Sequence, residues 1–262
     1  SSINGNPNNL RIANNLNLNN KILSLFEKHI NPFILSELDY KIHNINTLSN
    51  DNSIPPIERA SKAMKKFSRI SESEIVTPEF LTDRIINGLP SKSVDKSTLL
   101  LDIASKQGEF LYSVYKRFGK QVAANFYSIP TSSLAYEFTR KVYELLELDV
   151  NHIEGNYTSY ELIKNGKLIE KENIKINNKK MKFNVIVGNP PYQESDGGGG
   201  LGSSATPIYN YFVNTAKKLN PDFLSMIMPT RWYAGGKGLD EFRDQMLNDK
   251  CIEELHDFLD PD

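Results

Sequence analysis

The residues with the clearest chemical potential are Asn189, Pro190, Pro191 and Tyr192, which follow the apolar run 185–187 and Gly188. The asparagine offers a side-chain amide. The two prolines have fixed φ angles and carry no N–H, and the residue before each proline is held in an extended conformation. The loop is therefore stiff and its carbonyl groups have a set direction, while the tyrosine adds a flat ring with a polar tip.

Such a loop is suited to activating an amino group on an aromatic ring. The lone pair of an exocyclic purine amine is delocalised into the ring, which makes the nitrogen a poor nucleophile. If the Asn189 side-chain oxygen and the Pro190 carbonyl both accept its N–H hydrogens, the nitrogen becomes more tetrahedral and can attack an activated methyl group. Tyr192 could stack on a base that has left a nucleic-acid helix. A proline-stiffened turn after a core strand is the alternative for this tetrapeptide taken alone.

A second set of residues follows another apolar strand. Asp102 ends that strand, the small residues Ala104 and Ser105 follow it, and Gly108 and Phe110 stand where a helix is predicted to begin. A strand, a tight turn with a glycine and a helix form a cradle in which helix N-terminal amides face a ligand. The acidic residue favours a ligand with positive charge, such as the ammonium group of an amino acid. An ordinary strand-to-helix connection is the alternative.

Strands and helices that would position these residues alternate from about residue 77 to the end of the sequence. Thr77 suits the N-cap of the first helix, Pro78 its first position and Gly88 the position just past its end. The predicted strands cover residues 98–103, 122–127, 152–158, 185–187, 223–228 and 252–259. This alternation predicts an α/β fold with an open, mostly parallel sheet.

The sequence before this region has a different character. Its first 20 residues are rich in asparagine and are expected to form a loose start. Apolar residues at helical spacing predict helices from residue 21, over 33–48 and over 58–67, and a linker lies near 50–56. Residues 1–70 are therefore interpreted as a small helical N-terminal appendage with a packing or docking role.

Two further segments have unusual compositions. Residues 164–182 contain seven lysines and two glutamates, which predicts a solvated hairpin, with a nucleic-acid contact as the less favoured reading. The glycine-rich residues 197–204 are expected to become ordered only around a substrate, or not at all.

The overall composition limits the class of protein. The 31 basic and 32 acidic residues nearly cancel, which argues against a compact DNA-binding domain but not against an enzyme with a local DNA cleft. The single cysteine, Cys251, excludes an intrachain disulfide, and the four histidines lack metal-ligand spacing. No apolar run is long enough to span a bilayer and no signal peptide is evident. We expect a cytoplasmic protein without a metal site.

Taken together, the motifs resemble those of the N6-adenine DNA methyltransferases of bacterial restriction–modification systems. The likeness is closest to the gamma-ordered group, which is often fused into larger restriction–methylation polypeptides. Asn189-Pro190-Pro191-Tyr192 resembles its catalytic tetrapeptide, and the residues from Asp102 to Phe110 resemble its first cofactor motif. The stretch with Arg231-Trp232 and the Gly-Gly-Lys-Gly sequence at 235–238 resembles one seen after the tetrapeptide in this group.

The resemblance implies a Rossmann-like class I methyltransferase domain over residues 71–262 with S-adenosylmethionine as cofactor. Thr77 and Pro78 would help hold the methionine part of the cofactor, together with the first motif. Pro130 and Thr131 fall where the ribose would bind, and Asn156 with the neighbouring Tyr157 where the adenine would bind; Asn189 would border the cofactor as well as the target base.

Three departures from the family pattern follow from the same comparison. The family has an acid at the ribose position, where this sequence has Pro130, so that Thr131 or Ser132 would have to substitute. Asn156 replaces an aspartate, although an amide oxygen can accept the same hydrogen bond. The second aromatic clamp and the target recognition domain lie beyond the last residue, so we expect a fragment of a longer protein.

The implied function is transfer of a methyl group to N6 of a flipped adenine in double-stranded DNA, with no membrane partner. Nuclease, helicase or recognition domains of the same longer chain are the other expected partners. Methylation of a protein glutamine by an enzyme that shares the tetrapeptide is one alternative. The other is a non-catalytic cofactor-binding module of a restriction complex, which the proline at the ribose position favours.

Overall fold

A computed structural model describes residues 7–29, 31–66, 76–193 and 206–258. The strands of these residues are β1 (Leu100–Ser105), β2 (Phe126–Pro130), β3 (Ile169–Glu170), β4 (Asn173–Ile176), β5 (Lys179–Met181), β6 (Val185–Gly188) and β7 (Phe223–Met226). The α-helices are α1 (Pro7–Asn15), α2 (Asn20–His29), α3 (Pro32–Asn50), α4 (Pro56–Met64), α5 (Glu79–Gly88), α6 (Glu109–Phe118), α7 (Lys120–Ala123), α8 (Ser133–Leu145), α9 (Ser159–Lys164), α10 (Tyr209–Lys218) and α11 (Asp240–Leu247).

The centre of the fold is a four-stranded parallel sheet with the order β2-β1-β6-β7. In its register, Asp102 of β1 lies beside Ser128 of β2 and Val187 of β6. The loops that follow β1, β2 and β6 therefore meet at one edge of the sheet. The order changes direction at β1, and ligand crevices of such sheets form at this switch point. The predicted α/β, Rossmann-like fold with a mostly parallel sheet is confirmed.

Two apolar cores cover the two faces of this sheet. Leu100, Val185 and Val187 belong to one core, while Leu101 and Ile186 belong to the other. Successive residues of a strand point to opposite faces, and helices pack on both faces, so every residue of β1 and β6 is buried. This explains why the two strands are continuous apolar runs in the sequence.

Two of the predicted strands are shorter in the structure, and a third is less buried than expected. The segment 122–127 is wrong at its start, because Gly119 at φ +81° leads into α7 and β2 begins only at Phe126. The third strand is reduced to a single parallel bridge between Ile153 and Ser128. The β7 strand is confirmed, but it is only half-buried because it lies at the edge of the sheet.

The last predicted strand is wrong for the part of it that is described. Residues 252–258 are exposed and form no strand, and Leu259 lies outside the described residues. A strand needs a neighbour that satisfies its backbone groups. Within the described chain nothing pairs with β7 on the side away from β6.

The predicted helix after Thr77 is present, with shifted ends. Pro78 is the N-cap of α5 rather than its first residue, and no side chain caps the helix. Gly88 is the last helical residue and Leu89 follows it as the C-cap. The Thr77 side chain is thereby free for another contact, described below.

The N-terminal region is helical, as predicted, but its first residues are more regular than expected. The expectation of a loose start is wrong from residue 7 onward, because α1 is held against α8 by a bidentate ion pair of Arg11 with Glu137 at 2.8 Å. In α4, Ala60 and Ala63 are fully buried in the same core as Leu100. The division of the chain at residue 70 stays a prediction, and α4 packs in the core of the region beyond it.

The lysine-rich region forms an antiparallel sheet with the order β3-β4-β5, so the predicted hairpin is confirmed with one additional strand. Lys180 and Lys182 are paired with Glu170 and Glu172. The glycine-rich stretch 197–204 and Phe67 of the predicted helix 58–67 lie outside the described residues. None of the helices that the structure describes has both the length and the apolar character needed to cross a bilayer.

Candidate functional site

The loop after β6 is closely packed. Asn189, Pro190 and Pro191 are buried and Tyr192 is half-buried. A Cβ on Gly188 would lie only 3.1 Å from Ile103, so the strand ends at a position where a side chain has no room. The diproline corner therefore leaves the sheet in one fixed direction.

The side chain of Asn189 is held by a hydrogen bond to Thr77. Its Nδ2 donates a hydrogen bond to Oγ1 of Thr77 at 3.1 Å, and both residues are buried. Within the described residues, the Oδ1 atom of Asn189 is buried and has no hydrogen-bond partner. Buried polar atoms are nearly always paired, so an unpaired acceptor marks a place where a donor can be received. Burial raises the pKa of the adjacent Tyr192, and the Asn189 side chain offsets part of that rise.

A chain of hydrogen bonds links this loop to the loop after β1. The carboxylate of Glu109, itself buried, accepts from the backbone N–H of Gln107 at 2.9 Å and from that of Thr77 at 3.4 Å. Thr77 in turn accepts from Asn189. The catalytic tetrapeptide and the cofactor motif predicted from the sequence therefore belong to one polar network.

The loop after β1 has the conformation expected of a ligand cradle. Gly108 is the N-cap of α6 at φ +79°, and a Cβ there would lie 3.2 Å from Val142. The carboxylate of Asp102 is buried and accepts from the backbone N–H of Ala104 at 3.0 Å. Burial, with the nearby charge of Glu109, raises the pKa of Asp102 to about 8. Two buried acids at one loop make it a favourable place for a cationic group.

A cavity of about 420 Å³ lies beyond the end of β2. Its walls come from three parts of the chain: α1, the segment from β2 into α8, and the segment that leads into α9. The lining residues are Arg11, Asn15, Pro130, Ser132, Ser133, Tyr136, Arg140, Glu154, Gly155, Asn156, Tyr157, Thr158 and Glu161. The cavity has room for a flat ring and a sugar.

Three of the residues predicted to bind the nucleoside part of the cofactor meet in this cavity, namely Pro130, Asn156 and Tyr157. Thr131 is buried, its backbone N–H donates to the Ser105 carbonyl at 3.0 Å, and it does not line the cavity. Ser132, which the sequence offered as the other substitute for the missing acid, does line it.

The other predicted residues have different surroundings. Phe110 is buried in the core with Leu100, while Pro78 is exposed at the start of α5. Ala104 and Ser105 are buried at the end of β1, where the Ser105 hydroxyl lies 3.0 Å from that of Thr139. The buried residues Ala104, Ser105 and Phe110 therefore support the loop after β1 through their packing.

Several polar residues of the site were missed from the sequence. Glu109 had a detectable signal, since it stands in the first turn of the helix after Gly108, where an acid can accept from backbone amides. Arg11 and Asn15 had none, because they lie in a segment that was expected to be irregular. The place of Glu137 beside the site becomes clear from the structure, in which its carboxylate accepts hydrogen bonds from Arg11 and Asn15.

The sequence is similar to that of known proteins. The model of the Eco57I restriction-modification methylase family matches residues 91–262. A Mycoplasma pneumoniae protein described as an uncharacterized adenine-specific methylase is 42% identical over 81 residues, which cover 30% of this chain and 19% of that protein. The chain thus spans about a fifth of the length of this relative.

A solved structure is also similar. It is a protein of Listeria monocytogenes described as a class I S-adenosylmethionine-dependent methyltransferase, 13% identical, with a TM-score of 0.48 and coverage of 74% of this chain and 60% of that one. The family match extends over both sequence motifs and well over half of the chain. The chain belongs to the Eco57I restriction-modification methylase family.

Proposed function

We propose that this chain transfers a methyl group from S-adenosylmethionine to N6 of an adenine in DNA, as part of a restriction–modification system. The observation that carries the proposal is the unpaired, buried Oδ1 of Asn189 in a loop that a hydrogen-bond network ties to the cofactor motif. Family membership supports the choice of DNA as the substrate.

The residues present fit S-adenosylmethionine. The buried carboxylates of Asp102 and Glu109 suit the ammonium group of its methionine part, and the cavity beside Pro130 and Asn156 suits its adenosine part. When bound, the cofactor supplies an electrophilic methyl group on a sulfonium ion. The order of the strands supports this arrangement, because β1 lies between β2, which leads to the cavity, and β6, which leads to Asn189.

The chain itself would activate and hold the target amine. The Oδ1 of Asn189 and the carbonyl oxygen of Pro190 would accept the two N–H hydrogens of the adenine amine, which increases the nucleophilicity of its nitrogen. Pro191 keeps the Pro190 carbonyl in place because it restricts the preceding residue to extended conformations. The proton released after transfer can pass to water, so no strong general base is required. Positioning and electrostatics would supply the rate enhancement.

The structure is closed around the acceptor oxygen, and this sets a condition for the reaction. Asn189 is only 4% exposed and its Oδ1 atom is buried. An adenine base can reach this oxygen only if the residues around it move aside. Tyr192, which follows two residues after Pro190 and is half-buried, is the residue that we expect to move. We propose that the ring of Tyr192 turns outward and stacks on the flipped adenine, which then takes the place of the lost cover.

The partners follow from the same proposal. The substrate is double-stranded DNA from which one adenine is flipped into the site. Nuclease, helicase or target-recognition domains are proposed as further parts of the restriction–modification system. The surface residues of the lysine-rich β3–β5 sheet are partly neutralised by glutamates, so this sheet is not assigned to DNA.

The test is methyl transfer by the Asn189→Ala variant of the full protein. Radiolabelled cofactor is offered with DNA and, separately, with protein substrates. We expect wild type to label DNA at N6 of adenine, and the variant to lose labelling while binding S-adenosylhomocysteine with nearly unchanged Kd. Asn248→Ala, which removes an exposed amide at the C-cap of α11, serves as the control and should remain active.

Other results would contradict the proposal in distinct ways. Normal DNA methylation by Asn189→Ala would show that the chemistry is assigned to the wrong residue. Labelling of protein alone would indicate a glutamine methyltransferase. Cofactor binding without any labelling would indicate a non-catalytic module.

A further inference from the structure

The first helix of the described chain closes one side of the cavity at the end of β2. Arg11 and Asn15 of α1 line this cavity together with Pro130 and Asn156. Helix α1 lies outside residues 91–262, the part that matches the family. A segment from outside the shared region thus contributes directly to the place where we position the cofactor.

The contact that holds α1 in place is specific. Both terminal nitrogens of Arg11 donate to the two carboxylate oxygens of Glu137 at 2.8 Å, and Nδ2 of Asn15 donates to the same carboxylate at 2.8 Å. Asn15 also donates to the backbone carbonyl of Ser133 at 3.3 Å. The Glu137 side chain is only 8% exposed. A bidentate arginine–carboxylate pair has a fixed geometry and is stronger than a neutral hydrogen bond.

The charge of Glu137 gives this contact a role beyond docking. The residue lies in the second turn of α8, the helix that follows β2, and its carboxylate accepts hydrogen bonds from Arg11 and Asn15 of α1. If the Arg11 side chain were removed while α1 stayed docked, this largely buried carboxylate would lose its ion-pair partner, which is unfavourable. With α1 in place, the wall on this side presents a neutralised arginine and an amide.

We propose that α1 is a wall of the cofactor pocket and that Arg11 and Asn15 determine how tightly the adenosine part of the cofactor is bound. This inference rests on the proposed function, because it takes the cavity to be the adenosine site. The cofactor and α1 would then stabilise each other. Binding would stabilise the helix, and the helix would complete the wall of the pocket on the side of Ser133 and Tyr136.

The first experiment measures the Kd of S-adenosylhomocysteine and of adenosine by calorimetry. We expect Arg11→Ala to weaken both ligands by about tenfold, in line with the loss of a charged, part-buried hydrogen-bonded pair. The Kd values of Arg11→Lys should lie between those of wild type and Arg11→Ala, since an ammonium group cannot form the two parallel hydrogen bonds that the guanidinium donates to Glu137. Asn14→Ala changes an exposed residue of the same helix and should leave both Kd values unchanged.

A second measurement needs no variant. Addition of S-adenosylhomocysteine should slow amide hydrogen exchange in residues 7–15 of the wild type and leave residues 20–29 of α2 unchanged. Unchanged or tighter binding by Arg11→Ala, or ligand binding without protection of α1, would overturn the inference while the proposed function stands. A wild-type protein that binds neither ligand would instead contradict the proposed function.

Discussion

The side-chain nitrogen of Asn189 lies 3.1 Å from the hydroxyl oxygen of Thr77, a residue 112 positions earlier in the chain. This contact fixes which end of the amide faces Thr77. The amide oxygen is therefore on the opposite side, where it has no partner among the described residues. Thr77 was expected from the sequence to hold the cofactor. Its contact in the structure gives it a second role, that of positioning the amide which we propose to be catalytic.

Replacing Thr77 by valine tests this role. Valine keeps the shape but removes the acceptor, so the Asn189 amide is free to rotate. A lost hydrogen bond of this kind is worth about 1 kcal/mol, and we expect kcat for DNA methylation to fall by roughly fivefold to tenfold. Thr77→Ser keeps the hydroxyl acceptor and should have a kcat close to that of wild type. If Kd for the cofactor rises and kcat is unchanged, Thr77 acts on the cofactor and does not position Asn189.

Asp102 should make stability depend on pH. Burial raises its pKa to about 8 in the folded chain, from an ordinary value of 3.8. A group whose pKa is raised on folding contributes stability below its unfolded pKa, and this contribution is lost as the pH rises through the folded value. In the absence of cofactor, the free energy of unfolding should therefore decrease between about pH 4 and pH 8.

The measurement for Asp102 is urea unfolding at several pH values, for wild type and Asp102→Asn. The variant keeps an oxygen for the Ala104 N–H but cannot ionise, so its stability should fall less over this range. Equal pH dependence of the two proteins would show that Asp102 titrates normally.

Gly108 should not tolerate a side chain. Gly108→Ala combines the strain of φ +79° with a Cβ placed 3.2 Å from Val142, and we expect a loss of roughly 2 to 3 kcal/mol in the free energy of unfolding. Gly238→Ala is the matched control, because its φ is also +79° and nothing lies within 4 Å of the new Cβ. It should lose only about 1 kcal/mol. Val142→Ala should recover part of the difference in the Gly108→Ala background; no recovery would exclude the contact with Val142 as its cause.

The packing of α4 predicts how the N-terminal region unfolds. Ala63 of α4 is fully buried where this helix packs against its neighbours. A larger side chain there should lower the free energy of unfolding by about 1 to 3 kcal/mol. We expect Ala63→Leu to lower the midpoint of the main unfolding transition, measured by circular dichroism in urea. Lys62→Leu places the same side chain on the exposed face of the helix and should have little effect. A main transition that is unaffected by Ala63→Leu would mean that residues 1–70 are an independent appendage.

Local sequence pattern predicted the elements whose character is set by burial on both faces. β1 and β6 are continuous apolar runs because helices cover the sheet on either side, and that pattern is readable without coordinates. The predicted strand over 252–259 failed for the opposite reason. Its apolar residues resemble a strand, but a strand also needs a hydrogen-bonding neighbour, and residues 252–258 pair with no strand of the described chain.

The same distinction applies to the candidate site. The tetrapeptide at 189–192 and the cradle ending at Gly108 could be identified because each is a local conformation that depends on proline or glycine. The bonds from Glu109 to Thr77 and from Thr77 to Asn189 could not be, since they connect residues far apart in the chain. The role of Arg11 was also hidden, because nothing near it in the sequence indicates Glu137 as its partner.

By itself, the amino-acid sequence determined the alternation of strands and helices, the stiff diproline corner and the glycine turn, because these depend on the chemistry of neighbouring residues. The tertiary structure alone decided that hydrogen bonds join the corner to the loop that contains the turn, and that the first helix lines the cavity at the end of β2. That outcome depends on the order of strands in the sheet and on polar groups that find their partners only when the chain is folded.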